Sequence, residues 1–283
     1  MSHSHTDCAK PQSTWGSSYR LIASEKWKAK SAVMGGAVTE AIVDYAAPQL
    51  GMNVLDLASG TGEPAISIAL RVGATGHVTA LDLSSELLNI AESRARERGL
   101  ANFTTQEADA HSLPFAEETF DLATSRFGIM FFRDVDLTLG ELLRVLRSNA
   151  RACFVAWGPF EQPYWQSTMG IVQRYVGGPL FEPGSANPFR FSSPGSLGSA
   201  LKAAGFRNVH EETKTVPWTW PGTPEEVWEQ VRSVAVPFHP LLDRVSAESW
   251  PHIDSEVHSA IRKYVSGENI EFGATIVLAS GTK

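Results

Sequence analysis

Short apolar runs alternate with stretches of helical spacing through the first half of this chain. Val54, Leu55 and Leu57 form one compact run, and Val78-Thr-Ala-Leu-Asp82 and Phe103–Glu107 form the next two. Runs of this length suit strands buried on both faces, as in a parallel sheet. A fourth strand ends at Ser125-Arg-Phe and a fifth spans Arg151–Trp157. After the second strand, Leu87, Leu88, Ala91 and Ala95 give one helix an apolar face, with Gly99 as its stop; before the fifth, Leu139, Leu142, Leu143 and Leu146 do the same. Regular alternation of strand and helix predicts an α/β fold with a parallel sheet and right-handed crossovers. Beyond Trp157 the pattern loosens. An irregular aromatic, Pro- and Gly-rich stretch runs to Pro194, followed by a short helix over 195–204 and a long sixth strand over Phe206–Trp220. A helical insert over about 223–266 precedes a seventh strand, Ile270–Ala279. At the amino end, residues 15–33 and 37–47 read as two helices after a polar, flexible tail at 1–14. The expected organisation is therefore that tail, amino-terminal helices placed to form a lid (15–48), and one domain over 49–283 with cap segments near 159–190 and 223–266.

The junction after the first strand carries the most chemistry. Residues 52–66 read Met-Asn-Val-Leu-Asp-Leu-Ala-Ser-Gly-Thr-Gly-Glu-Pro-Ala-Ile: a strand, a glycine turn and a helix start. Gly60 and Gly62 permit a tight turn and close approach of a ligand to the main chain. Pro64 suits the first turn of a helix. Asp56 puts a carboxylate at the edge of a buried strand, where a cationic ligand or a set of donors is required to offset its burial. Asp82 ends the second strand, twenty residues after Gly62, where a βαβ unit presents an acid to ribose hydroxyls. Ser84 is placed to cap the following helix, with Glu86 in its first turn. A third acid, Asp109, follows the third strand. Three acids past the carboxyl ends of successive strands mark a binding crevice.

Composition narrows the partners. The chain has 283 residues, 43% of them hydrophobic, enough for one elaborated α/β domain. A net charge of −7 without a basic cluster argues against nucleic acid; Arg94, Arg96 and Arg98 alternate with Glu92 and Glu97 as on a solvated helix face. No apolar stretch has membrane-spanning length and no signal peptide is evident, so a cytoplasmic location is expected. The two cysteines, Cys8 and Cys153, exclude a disulfide framework, and Cys153 belongs to the fifth strand as a core thiol. No metal site is expected.

The segment 34–158 resembles class I S-adenosylmethionine-dependent methyltransferases, most closely the ubiquinone/menaquinone-biosynthesis C-methyltransferase type. Four blocks carry the resemblance: Val54-Leu-Asp-Leu-Ala-Ser-Gly-Thr-Gly, Ala80-Leu-Asp-Leu-Ser, Ala108-Asp-Ala-His-Ser-Leu-Pro-Phe and Thr119-Phe-Asp-Leu-Ala-Thr-Ser-Arg-Phe-Gly. It implies a Rossmann-like, seven-stranded, mostly parallel sheet with helices on both faces, the seventh strand antiparallel between the fifth and sixth. It implies S-adenosyl-L-methionine as cofactor and S-adenosyl-L-homocysteine as product. Asp56 and the Ala58–Gly62 turn (Ala58, Gly60, Gly62) would hold the methionine part, and Asp82 the ribose with Leu83 against the adenine. Asp109 and the Ala110 backbone would take the adenine amino edge, and Ser125, Arg126 and Phe127 would close the methionine side. One departure stands out: relatives carry Lys-Pro-Gly-Gly before the fifth strand, whereas this chain has Arg147-Ser-Asn-Ala, in which Asn149 still tolerates left-handed geometry.

Gly60-x-Gly62-x-x-Ala65 also fits the dinucleotide fingerprint of an NAD(P)-dependent oxidoreductase. Asp56 and Glu63 would repel a pyrophosphate but welcome a sulfonium and an ammonium, and the Asp109 block has no place in that fingerprint. A non-catalytic nucleoside-binding regulator on the same fold is the other alternative. For methyl transfer the chain must mainly align donor and acceptor and exclude water. A general base is needed only for some acceptors, with His111, His210, His239, His252, His258, Tyr19 and Tyr164 as candidates and His239 favoured for its rigid apolar context. Arg126 could bind the cofactor carboxylate, an anionic substrate or a structural partner. Tyr19, Phe131, Trp157 and Tyr164 are candidate pocket residues for a small organic acceptor, with an aromatic or quinone-like ring favoured over an amine.

Overall fold

A computed structural model describes residues 25–283. The tail at 1–14, with Trp15 and Tyr19, lies outside the described residues. The elements follow the expected alternation: α1 (Glu25–Ala46), β1 (Asn53–Leu57), α2 (Ala65–Val72), β2 (His77–Asp82), α3 (Ser85–Glu97), β3 (Phe103–Glu107), β4 (Phe120–Arg126), α4 (Val135–Val145) and β5 (Leu146–Trp157). Two short helices, α5 (Pro163–Gln166) and α6 (Met169–Val176), then α7 (Ser196–Ala204), lead to β6 (Arg207–Pro221). The insert contains α8 (Pro224–Val234), α9 (His239–Leu242) and α10 (Trp250–Arg262), and the chain closes with β7 (Val265–Ser266) and β8 (Asn269–Thr282).

The sheet runs β3-β2-β1-β4-β5-β8-β6. Strands β1 to β5 are parallel, and β8 is antiparallel to both of its neighbours. The sheet counts eight strands rather than seven because the two-residue β7 folds back on β8 as a hairpin. The order reverses at β1 and β4, where one half of the sheet winds outward through β2 and β3 and the other through β5. That divergence opens a crevice beyond the strands' carboxyl ends.

Period-two alternation explains the two cores. Leu55 and Leu57 face one hydrophobic cluster with Leu139 and Phe154; Val54 faces the other with Ile66, Ile68 and Leu88. Each fully buried Ile or Leu contributes about 1.5–3 kcal/mol by leaving water. Cys153 is a free buried thiol, and burial pushes its pKa up to about 12. Ser84 caps α3 by accepting from the Leu87 N–H at 3.3 Å. Asn149, in the turn that departs from the family pattern, has φ +67° and takes the left-handed geometry a glycine would otherwise supply.

Two expectations change. Gly35-Gly36 does not separate two helices: α1 runs through it unbroken. A Cβ on Gly35 would lie 2.8 Å from Arg126 Nη1, so the missing side chain makes room for a guanidinium from β4. Strand β8 also runs three residues past its expected end, to Thr282, and pairs there with β5 (Arg151 with Thr282), while β6 pairs with it along nearly its whole length, Trp218 opposite Phe272 and Trp220 opposite Ile270. Helices α6 and α10 pack together and are joined by an Arg174–Glu256 ion pair. Among the described residues no helix is long and apolar enough to cross a membrane.

Candidate active site

The glycine turn leaves β1 at the point of strand reversal. Asp56 is wholly buried and its carboxylate accepts from Ser59 Oγ and, at 2.6 Å, from Thr124 Oγ1 on β4. The donors that the sequence required are thus the protein's own hydroxyls, and Asp56 does not reach the crevice. Burial raises its pKa to about 7, with the two hydroxyls and Arg126 opposing. Ser125 is equally buried, donating to Leu57 O at 2.9 Å, so it ties β4 to β1 instead of lining the site. Both strands end in a left-handed residue, Ala58 at φ +53° and Phe127 at φ +59°. Non-glycine residues seldom adopt this region, and here each one ends its strand at the crevice.

The two glycines do different work. A Cβ on Gly60 would meet nothing within 4 Å, leaving its main chain open to a ligand. A Cβ on Gly62 would lie 2.6 Å from Ile66 Cδ1 and 3.1 Å from Ala91 Cβ, so Gly62 serves the packing of α2 and α3 against the turn. Asp82 fixes this turn from the next strand. Its carboxylate accepts the Gly60 N–H at 2.9 Å and the Ser84 N–H at 3.0 Å, while burial raises its pKa in spite of those bonds. Each oxygen retains a further lone pair for a hydroxyl donor. Leu83 beside it is 46% exposed, a large apolar side chain left uncovered at the crevice edge.

Asp109 stands past β3. Its carboxylate accepts from the backbone N–H and the Nδ1 of His111, and the Asp134 N–H donates to His111 Nε2 at 3.1 Å. Both ring nitrogens of His111 are engaged, which makes it a strut between this loop and α4. Burial pushes the Asp109 carboxyl up, but the His111 contacts outweigh it and hold the group below its ordinary value. Ala110 is buried, offering its backbone alone.

Arg126 and Phe127 open into a cavity of about 420 Å³ bounded by α1, the glycine turn, α3, β5 and the inserted helices. Its wall has two parts. One is polar: Arg94 donates to Thr61 O and Oγ1 at 3.0 and 2.7 Å, Arg98 pairs with Glu63 at 3.0 Å, and Arg126 donates to the Glu63 carbonyl at 3.2 Å. The other is aromatic. Phe127 stacks on Trp157 at 4.4 Å, and Trp157 meets Trp165 and Trp218 edge-on at 5.4 and 5.1 Å. Phe131, Trp157 and Tyr164 all line this cavity. Asp82, Leu83 and Asp109 do not; they stand at and just past the ends of β2 and β3. His239 is not in the cavity. Its neighbour Phe238 packs inward against Trp165 at 5.2 Å, which turns His239 to a separate hollow beside Trp228, Asp243 and Asp254. Sequence reasoning missed Arg94, read as surface, and Gln230; Arg94 had no local signal, because Thr61 comes to it from another element.

The strand order, with its antiparallel β8 and its acids at the ends of β2 and β3, is the arrangement that the resemblance to class I S-adenosylmethionine-dependent methyltransferases implies. Residues 36–171 match the model of the ubiE/COQ5 methyltransferase family. The ubiquinone/menaquinone biosynthesis C-methyltransferase UbiE of Idiomarina loihiensis is 38% identical over 110 residues, 38% of this chain and 44% of that protein. The 2-phytyl-1,4-naphtoquinone methyltransferase of Nostoc punctiforme is 35% identical over 147 residues, 49% and 64% of the two chains. The alignments thus span less than two thirds of these relatives. Among solved structures, the YcgJ protein of Bacillus subtilis superposes with TM-score 0.56 at 21% identity, covering 87% of this chain and 97% of its own. A Haemonchus contortus phosphoethanolamine N-methyltransferase gives 0.57 at 18% identity, covering 94% and 58%. Both share the fold.

Proposed function

We propose that this protein transfers a methyl group from S-adenosyl-L-methionine to a small, flat organic acceptor, with a quinone-like ring as the preferred class. The observation that carries the reading is the cavity beside the turn, which is lined at one end by Thr61, Glu63 and Arg126 and at the other by stacked aromatic rings. The residues suit that cofactor. Asp82 keeps acceptor capacity for ribose hydroxyls, Leu83 offers an uncovered apolar face for a base, and Gly60 leaves the main chain open. Asp109, with its side chain 45% exposed, can accept from an exocyclic amine. Arg126 and the polar wall stand where an amino-acid moiety would lie. The bound cofactor supplies an electrophilic methyl on a sulfonium with a neutral thioether as leaving group. What this chain supplies is alignment and dryness: Phe127, Trp157 and Trp218 hold a ring against the crevice and exclude water from it. Positive charge at the mouth, from Arg94, Arg98 and Arg126, is set off from the aromatic wall.

On this reading α1 and the segments 159–190 and 223–266 act as the cover of the acceptor site. A reducing, cytoplasmic setting suits the free thiol of Cys153. Calorimetric titration with S-adenosylmethionine, S-adenosylhomocysteine and NADH tests the assignment. Micromolar binding of the two sulfur nucleosides without NADH is expected; binding of NADH alone would restore the dinucleotide alternative.

A further inference from the structure

One polar group in the aromatic part of the cavity is unlike its neighbours. Gln230, on α8, lines the cavity and is only 3% exposed. Its side-chain oxygen accepts from the Tyr164 O–H at 3.3 Å. Burial raises the Tyr164 pKa well above the ordinary phenol value, so the hydroxyl keeps the proton that makes this bond. The Trp218 indole, near the Tyr164 oxygen but outside hydrogen-bond alignment, offsets only part of that rise. With its oxygen engaged, Gln230 turns its amide nitrogen elsewhere. That nitrogen makes no hydrogen bond to the described residues and is not among the side-chain atoms sealed from contact, so it faces the cavity. The indole N–H groups of Trp165 and Trp218 also lack partners, but both are closed within the wall. Among the described residues Gln230 is therefore a donor that a ligand in the aromatic part can reach. A donor held in place by a buried hydroxyl and left without an acceptor is a site built for one.

We propose that Gln230 determines acceptor specificity by donating to an oxygen on the ring that lies in the aromatic part, with Tyr164 as its positioning residue. The inference rests on the methyl-transfer reading and deepens it by assigning the residue that recognises an oxygen on the flat ring. An oxygen-free ring of the same shape would fill the cavity but leave the amide unpaired, and is rejected for that reason.

The test compares 1,4-naphthoquinone with naphthalene by equilibrium dialysis at saturating S-adenosylhomocysteine, whose own binding is measured first by calorimetry. Wild-type protein is expected to bind the quinone about tenfold more tightly than naphthalene. Gln230→Met should remove that preference by weakening the quinone alone, and Tyr164→Phe, nearly unchanged in volume, should cut it about threefold. S-adenosylhomocysteine affinity should not move in either variant. Wild-type protein without the preference, Gln230→Met retaining it, or a parallel loss of both probes overturns the proposal. Should Gln230→Met fail to fold, retention of the full preference in Tyr164→Phe overturns it equally. Failure of wild-type protein to bind S-adenosylhomocysteine would instead sink the methyl-transfer reading.

Discussion

Replacing Asp56 with asparagine isolates the cost of a charge sealed between β1 and β4. The Asp56 carboxyl has an ordinary pKa of 3.8 and is raised to about 7 in the folded chain. Because the folded value lies above the unfolded one, the folded protein binds a proton in the window between them and the unfolded chain does not. Stability therefore falls as pH rises through that window, the reverse of the usual behaviour of a salt-bridged aspartate. Integrating the linkage from pH 5 to pH 8 with these two values gives a loss of about 2.5 kcal/mol from this one group. Asparagine has nearly the shape of the protonated acid and can accept from Ser59 or Thr124, but it does not titrate.

Asp56→Asn should thus be close to wild type in stability at pH 5 and more stable than wild type by about 2.5 kcal/mol at pH 8. Urea unfolding of both proteins at pH 5, 6, 7 and 8 measures this directly, since other titrating groups cancel in the difference. A difference between the two proteins that stays constant across the series would refute the argument. It would mean that Asp56 is ionised throughout, held by a stronger set of donors than Ser59 and Thr124.

Asp82→Ala should weaken S-adenosylhomocysteine binding by about 1.5–3 kcal/mol, the worth of a hydrogen bond to a charged group; calorimetry that finds wild-type affinity would remove Asp82 from the cofactor site. Gly62→Ala should lower stability by about 1–3 kcal/mol in urea unfolding, through its clash with Ile66 and its φ of +108°, and an unchanged midpoint would contradict the packing role. Trp157→Ala should cost about 3–5 kcal/mol in the same assay and abolish ring binding, because Trp157 carries the contacts of Phe127, Trp165 and Trp218. Intact 1,4-naphthoquinone affinity in a folded Trp157→Ala protein would move the acceptor elsewhere.

What the sequence revealed depended on how far along the chain each cause lay. The strand–turn–helix at 53–72, the cap at Ser84 and the acids Asp82 and Asp109 were legible because each depends on a few neighbouring residues. Asp56 was legible only as a problem: a buried carboxylate announces that it needs donors, but Thr124 answers from a strand paired to it across the sheet. The break expected between residues 33 and 37 failed for the same reason. A glycine pair inside a helical pattern normally signals a break, and nothing near it in sequence tells of Arg126, 91 positions away, coming to fill the space. His239 failed differently. Its rigid apolar context was real, but the turn Val236–Phe238 before α9 points Phe238 inward, and the adjacent residue then turns to the other side.

The two parts of the cavity wall also differ in origin, and this bears on what sets the acceptor. The turn, Arg94, Arg126 and Phe127 come from the segment that carries the strand reversal, where movement of one strand end would disturb Asp56, Ser125 and the paired left-handed residues together. Trp218, Gln230 and Phe238 come from the long edge strand β6 and the insert; among the described residues β6 pairs only with β8, so these positions can be rebuilt without touching β1 or β4. Selection for a new acceptor therefore has its least costly route through residues 218–238, while cofactor contacts stay fixed by the sheet. A substitution at Trp218 or Gln230 should change which ring is bound and leave S-adenosylhomocysteine affinity alone, whereas one at Asp82 should do the opposite.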